Sequence, residues 1–384
     1  MFITIQSSTF GAYGGIPVYN RLVCRALNEF PGTDNALVLI ATDKVSDLEE
    51  PSIQLSTLRL QAFDGNRLAL ARSFLSVGLQ QKIDLVLVGH VNYAPLAWFL
   101  KQLQPSLKYG VLLYGIEAWR PLSALRRRAL QKADFLISIS NFTKQEAVDR
   151  NELDPGRIYI LSNALDCVEP QCRQTVRHEP LPSVGARLLS VCRLEENERY
   201  KGVEKVIECL PELVKRLPDV RYTVVGGGTD LERHRQLAAR LGIDSQVHFP
   251  GVVSEEVLNE CYRDCDVFVM PSAGEGFGFV FLEAMKYGKP IVAARSGGVP
   301  EVVRDGVNGK LVEYGDKQQL MESLLELCLN PDLRENLGRA GYQRLQENYT
   351  FEHFKQKFTE IIRLESPAHA ASKFSPSESH SCAS

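Results

Sequence analysis

Short apolar runs alternate with longer amphipathic stretches along almost the whole chain, and this alternation leaves few folds open. In the first half the runs are ALVLIAT, DLVLVGH, YGVLLYG, DFLISIS and RIYILSN. In the second they are RLLSVCRL, RYTVVGGG, QVHFPG, DVFVMPS, KPIVAAR and GKLVEY. Runs this short, rich in Val, Ile and Leu, read as parallel strands buried on both faces. The stretches between them, such as 203–217 and 230–241, carry a helical pattern. Strand and helix alternate through both halves, which predicts doubly wound α/β sheets. A chain of 384 residues predicts two such Rossmann-like domains rather than one core.

The pattern fails once in the middle. DCVEPQCRQTVRHEPLPSVGA is polar, contains proline and has neither period, so it reads as a linker. The expected organisation is an N-terminal domain over 1–166, a linker over 167–186 and a C-terminal domain over 187–345. A C-terminal helix over 346–365 follows. The tail 366–384 is low in apolar residues and rich in Ser, Pro and Ala, and is expected to be disordered. Two open sheets of this kind bind ligands beyond the carboxyl ends of their strands, so chemistry is expected there.

Composition narrows the function classes. A formal charge of −3 gives no reason to expect nucleic acid as a partner. No apolar run approaches the ~18–20 residues of a membrane span. The start, MFITIQSSTFGAYGG, reads as a strand and a glycine loop rather than a signal peptide. The nine scattered cysteines suggest free thiols in a reducing, cytoplasmic setting. Cys261 and Cys265 are spaced C-x3-C but lack a second pair, so they read as small buried hydrophobes, and no metal is expected.

The residues that carry chemistry cluster after strands. In PSAGEGFGFVFLEAMKYG, Glu275 lies in the loop after DVFVMPS and Glu283 on the early part of the next helix. Gly276 and Gly278 let backbone approach a ligand, and the first amides of the helix favour an anion. Two acids beside an anion site suit a ligand that also carries hydroxyls. The plainer alternative, two solvated charges, fits poorly with the apolar surroundings. Arg193 ends another strand and Lys201 precedes the next helix. Together they suit a diphosphate, the one as a fork and the other as a point charge, although both are also ordinary loop charges. Gly227, in VVGGGTD, suits a close approach to phosphate, a weak signal by itself. Gly14 and Gly15 fit either a phosphate or sugar contact or a tight turn. His90 ends the strand DLVLVG, where a catalytic and a structural histidine are equally in keeping. Glu117 and Trp119 follow the next strand. The basic run Arg126–Arg128 and the apolar Leu96–Leu100 suit either solvated helix faces or contact with anionic lipid headgroups.

Taken together these segments resemble the retaining glycosyltransferases of family 4, which have the two-domain GT-B fold. The resemblance rests on the E-x7-E spacing of Glu275 and Glu283 and on Arg193-Leu194 with Lys201-Gly202. It also rests on GGVPEVV (297–303) and GVNGKLV (306–312), and on the looser HVNYAP (90–95), SISNFTK (138–144) and LSNALD (161–166). It covers the chain to about residue 357. It implies two Rossmann-like domains facing across a cleft, the last helix crossing back to the first domain. Glu275 would bind the donor sugar, Glu283 the ribose, and Arg193 and Lys201 the diphosphate. Amides around Gly276, Phe277, Gly278 and Phe279 would meet sugar and phosphate. The neighbourhood of Val247 to Phe249 would meet the base, and His90 the reacting sugar. The chain departs from the family at Tyr114, where a histidine is usual, and in the longer loop LEENERY.

The resemblance implies hexose transfer from GDP-mannose or UDP-glucose to a saccharide or polyprenyl-linked acceptor in cell-surface glycan synthesis. It implies retention by front-face attack, without metal or bound cofactor. The setting implied is cytoplasmic, with peripheral contact at the inner face of the plasma membrane as a further expectation. A nucleotide-sugar epimerase or hydrolase of the same fold and a non-catalytic sugar-binding protein are the alternatives.

Overall fold

A computed structural model describes residues 1–31, 36–48, 55–165 and 186–366. The expected linker and tail therefore lie outside the described residues, apart from Ala186 and Ser366, both buried. Contacts divide the chain into two compact units. One comprises Met1–Ser138, Lys144–Leu161 and the chain from Phe354 on; the other comprises Ile139–Thr143 and Ser162–His353.

In the first unit the elements run β1 (Phe2–Gln6), α1 (Gly15–Asn28), β2 (Ala36–Ile40), β3 (Leu58–Ala62), α2 (Arg67–Gln80), β4 (Leu85–Val88), α3 (Ala94–Leu103), β5 (Lys108–Leu113), α4 (Ala124–Gln131), β6 (Phe135–Ser138), α5 (Asn141–Asn151) and β7 (Ile158–Ile160). The strands form a seven-stranded parallel sheet in the order β3-β2-β1-β4-β5-β6-β7. Every residue of β1, β2 and β4 is buried, as uninterrupted apolar runs require when helices cover both faces. The order reverses between β1 and β4, and there the chain must pass close to itself. Gly89, just past β4, donates to the Ile5 carbonyl at 2.6 Å, and a Cβ on it would lie 3.0 Å from the same oxygen. Glycine at that point lets the residue after it, His90, emerge at the carboxyl end of the sheet.

The second unit holds β8 (Arg187–Val191), α6 (Val203–Arg216), β9 (Arg221–Val225), α7 (Leu231–Arg240), β10 (Val247–Gly251), α8 (Glu255–Asp264), β11 (Val267–Met270), α9 (Phe279–Lys286), β12 (Ile291–Ala294), α10 (Val299–Val302), β13 (Gly309–Val312), α11 (Lys317–Leu329) and α12 (Pro331–Asn348). Its six-stranded parallel sheet runs β10-β9-β8-β11-β12-β13, with the reversal between β8 and β11. The core gathers Leu188, Ile207, Leu210, Tyr222, Val224, Val267, Val269 and Leu324, all buried. Full burial of side chains of this size contributes roughly 1.5–3 kcal/mol each before entropy is counted.

The last helix, α13 (Phe351–Glu365), contributes from Phe354 on to the first unit. Phe354 packs edge-to-face on Tyr19 at 5.3 Å, Lys355 pairs with Glu29 at 2.9 Å, and Tyr159 donates to the Glu365 carboxylate at 2.7 Å.

Candidate active site

The reversal between β8 and β11 organises the second unit's site. Arg193 leaves the carboxyl end of β8, and Glu275 leaves that of β11. Between Arg193 and α6 the chain makes a 3₁₀ turn, Glu196–Lys201, ended by Gly202 in the left-handed region at φ 81°. A Cβ on Gly202 would lie 2.4 Å from the Pro271 carbonyl oxygen, so only glycine lets this turn lie against the end of β11. That approach brings Lys201 to Glu275. Its ammonium donates to the carboxylate at 2.5 Å, and the Ser272 hydroxyl donates to the same oxygen at 3.1 Å. Both side chains of the pair are largely buried, 18% and 12% exposed. Burial disfavours the Lys201 charge, but the Glu275 carboxylate outweighs it and holds the lysine well above its ordinary pKa.

Helix α9 begins beyond Glu275, with Gly278 before it at φ 92°. The amides of Gly276, Phe277, Gly278 and Phe279 have no hydrogen-bond partner among the described residues. Phe277 is buried against Tyr349, with ring centroids 5.5 Å apart, and so anchors the loop beneath those amides. The next loop supports them from the side: Gly298 donates to the Glu275 carbonyl at 2.7 Å, and a Cβ on Gly297 or Gly298 would strike the backbone of Glu275 or Gly276. Glu283, half-buried on α9, accepts from the Tyr262 hydroxyl at 2.6 Å. Burial pushes its carboxyl up from the ordinary range, against the opposing pull of the Tyr262 hydrogen bond.

The remaining predicted residues of this unit make other contacts. Arg193 is 66% exposed and hydrogen-bonds Glu198. The glycine run of residues 226–228 serves packing between loops: a Cβ on Gly226 would lie 1.9 Å from the Cys192 carbonyl oxygen, and one on Gly228 2.3 Å from that of Leu194. Gly227 accepts from the Leu194 amide at 2.9 Å. Val247 stands at the amino end of β10, packed on the core, away from the carboxyl edge that carries Glu275. At the carboxyl end of the same strand, the exposed Val252 lies beside Gly227.

The turn that carries Lys201 is fastened by residues that sequence reasoning did not single out. Asp230, buried before α7, takes a bidentate grip from Arg233 and a second from Arg199, the shortest contact in each being 2.7 Å. The Arg233 hydrogen bonds, joined by those of Arg199, hold the Asp230 carboxyl far below its ordinary range despite burial. Glu195 accepts from the Thr229 hydroxyl at 2.8 Å. Arg233 and Asp230 are three positions apart, but Arg199–Asp230 and Thr229–Glu195 join residues 31 and 34 apart, which no local pattern reveals.

In the first unit, Gly14 precedes α1 with φ 127° and open space around it, and residues 11–15 are exposed. A buried polar network holds the base of this loop. Asp43 accepts from the Ser8 hydroxyl at 2.6 Å and from the amides of Thr9 and Phe10 at 2.9 and 2.6 Å. Tyr114 donates to Asn20 at 2.5 Å, so the tyrosine that departs from the family pattern is a structural prop in this chain. His90 is half-buried, and its Nδ1 accepts from the Asn92 amide at 3.2 Å, which leaves the proton of the neutral ring on Nε2. Burial, then the Arg126 charge, lowers its pKa. Glu117 turns its carboxylate onto the amides of Tyr114 and Gly115 at 2.5 and 3.2 Å.

Leu125 of α4 is exposed together with Arg126 and Arg128, and Phe99 of α3 is also exposed. No helix among the described residues is long and apolar enough to cross a membrane. Cys261 is half-buried and Cys265 buried, and no group of three metal-ligating side chains occurs among the described residues.

Doubly wound sheets with cations, acids and open amides at a reversal form a class of α/β proteins that bind ligands at that point. Comparison with known proteins narrows the class. The models for glycosyltransferase family 4 and for group 1 glycosyl transferases match residues 13–169 and 177–344. The chain belongs to glycosyltransferase family 4. It is 31% identical over 261 residues to a GDP-mannose-dependent alpha-(1-6)-phosphatidylinositol monomannoside mannosyltransferase of Mycolicibacterium smegmatis, covering 64% of this chain and 66% of that protein. It is 30% identical over 254 residues to a D-inositol 3-phosphate glycosyltransferase of Nocardioides, covering 62% and 55%. The match thus spans between about half and two thirds of these curated relatives. Among solved structures, Anabaena HepE in complex with UDP superposes with a TM-score of 0.76 at 19% identity, covering 94% of this chain and 99% of that one. Sucrose-phosphate synthase of Thermosynechococcus elongatus gives 0.76 at 20% identity, covering 96% and 99%. The fold is accordingly that of the GT-B glycosyltransferases.

Proposed function

We propose that the protein is a retaining hexosyltransferase that uses a nucleotide sugar as donor. The observation that carries this reading is the Lys201–Glu275 pair, held at the reversal of the second sheet beside open amides. Glu275 takes hydroxyls of the donor sugar, and Glu283, oriented by Tyr262, takes those of the ribose. Lys201 and Arg193 hold the diphosphate and meet the charge that develops as it leaves. With two cations in those roles, the reaction needs no metal. The acceptor hydroxyl attacks from the face the nucleotide leaves, and the leaving phosphate oxygen takes its proton, so the anomeric configuration is kept. His90 is proposed to contact the reacting sugar.

GDP-mannose is favoured as donor over UDP-glucose, because the relative at 31% identity is named for GDP-mannose dependence. The acceptor is a saccharide or a lipid-linked saccharide. The exposed Arg126 and Arg128 beside Leu125 suit a peripheral contact with anionic headgroups, such as would bring the enzyme to a lipid-linked acceptor.

The test is to incubate the protein with GDP-mannose or UDP-glucose, chelator and an acceptor panel of simple glycosides and phosphatidylinositol, and to read the product by proton NMR. An α-glycoside from an α-linked donor is expected. Release of free sugar alone, undiminished by any acceptor, would favour the hydrolase alternative, and an unchanged donor the non-catalytic one.

A further inference from the structure

Glu198 lies in the turn between Arg193 and Lys201. One of its carboxylate oxygens accepts from Arg193 Nη2. The other, Oε2, is buried and without a hydrogen-bond partner among the described residues. The two members of the pair differ in freedom: the Glu198 side chain is 11% exposed and that of Arg193 66%. The acid is therefore the fixed member and the arginine the free arm. The turn that carries Glu198 is itself tied down by Arg199 on Asp230 and Glu195 on Thr229, so the acid stays when the arginine moves. A buried carboxylate with one unanswered oxygen depends heavily on its single cation.

Both cations near the end of β8 are thus answered by resident acids, Lys201 by Glu275 and Arg193 by Glu198. A guanidinium has five N–H donors, and the bond to Glu198 is made at Nη2. A diphosphate can take Arg193 through its remaining donors while Glu198 keeps its hold. Carboxylate and phosphate then share one positive charge, and their mutual repulsion weakens the grip.

We propose that Glu198 is a built-in counter-charge that limits how tightly the site holds a nucleoside diphosphate, acting through Arg193. The inference rests on the reading of Arg193 as a diphosphate ligand. Its consequence for the reaction is easier release of the product nucleotide, at the cost of some affinity.

Glu198→Gln removes the charge and keeps both the length and an acceptor for Arg193. Calorimetric titration with GDP and with UDP is the readout, on wild type, Glu198→Gln, Arg193→Ala and the double variant. Glu198→Gln should bind the preferred diphosphate about tenfold more tightly, the size a like charge of this kind contributes in a partly buried site. Structural damage would weaken binding, so a gain cannot come from damage. In the Arg193→Ala background the gain should vanish. If Glu198→Gln does not fold, Glu198→Met, also uncharged and of similar length, takes its place with the same expectation. Equal or weaker binding by the neutral variant would overturn the inference, as would a gain that persists without Arg193. A single Arg193→Ala variant that binds the diphosphate as wild type does would instead overturn the diphosphate role of Arg193.

Discussion

Lys201→Ala should lower the turnover of the donor roughly a thousandfold and destabilise the second unit at the same time. A cation ~4 Å from the leaving phosphate, at an effective dielectric of ~20, is worth about 4 kcal/mol. That corresponds to about three decades in rate when the interaction is made mainly in the transition state. The structural cost has a separate origin. Glu275 is 12% exposed and would keep only the Ser272 hydroxyl as side-chain partner. Breaking a buried pair by removing one member costs on the order of 3 kcal/mol. The pH dependence has a definite sign. The folded-state pKa of Lys201 is raised, so the pair's contribution is complete below the ordinary lysine value of about 10.4. It is lost as the pH rises through the raised value. Urea denaturation of wild type and variant should therefore show a constant gap from neutral pH to about 9. A variant with normal turnover would remove Lys201 from the mechanism, and one with normal stability would mean that Glu275 finds water instead.

Gly226→Ala should be the most damaging of the glycine substitutions around this site, at about 4 kcal/mol. The residue sits at φ 134°, and an added Cβ would lie 1.9 Å from the Cys192 carbonyl oxygen, a backbone atom that cannot step aside. A non-glycine residue in such a conformation costs about 1–3 kcal/mol, and overpacking adds a similar amount. Gly227→Ala is the control. Its Cβ would meet the Val252 side chain at 3.1 Å, and Val252 is 72% exposed and can turn away. Gly227→Ala should cost less than about 1 kcal/mol, close to an ordinary surface substitution. Equal losses in urea denaturation would mean that the run is not, as the geometry has it, a device for packing two loops together.

Much of the fold could be read from the sequence because its strands are buried on both faces and need uninterrupted apolar runs. The exception shows the reason. The run at β3, LRLQA, carries no such continuous apolar pattern. It is an edge strand with only its first residue buried, and such a strand needs no continuous apolar run. The site divides in the same way. Gly276 and Gly278 beside Glu275 are local signals, as is Glu283 on the following helix. The partners that give these residues their electrostatics are not local. Lys201 and Glu275 are 74 positions apart, and Tyr262 is 21 from Glu283. Glycines are legible as a need for closeness but not as to what comes close. At Gly226 and Gly228 it is the chain's own backbone. Val247 marks another limit, since a motif gives the strand but not which of its ends meets a ligand.

The second unit is proposed to hold a nucleotide sugar by its diphosphate, ribose and sugar without metal. Calorimetric titration of GDP, UDP, GDP-mannose and UDP-glucose in the presence of chelator tests it most directly, with Glu283→Ala alongside. One nucleotide series should bind the wild type, and Glu283→Ala should weaken it about tenfold or more, the loss of a charged hydrogen-bonding partner. A folded wild type that binds neither series, or a Glu283→Ala variant that binds as wild type does, would contradict it.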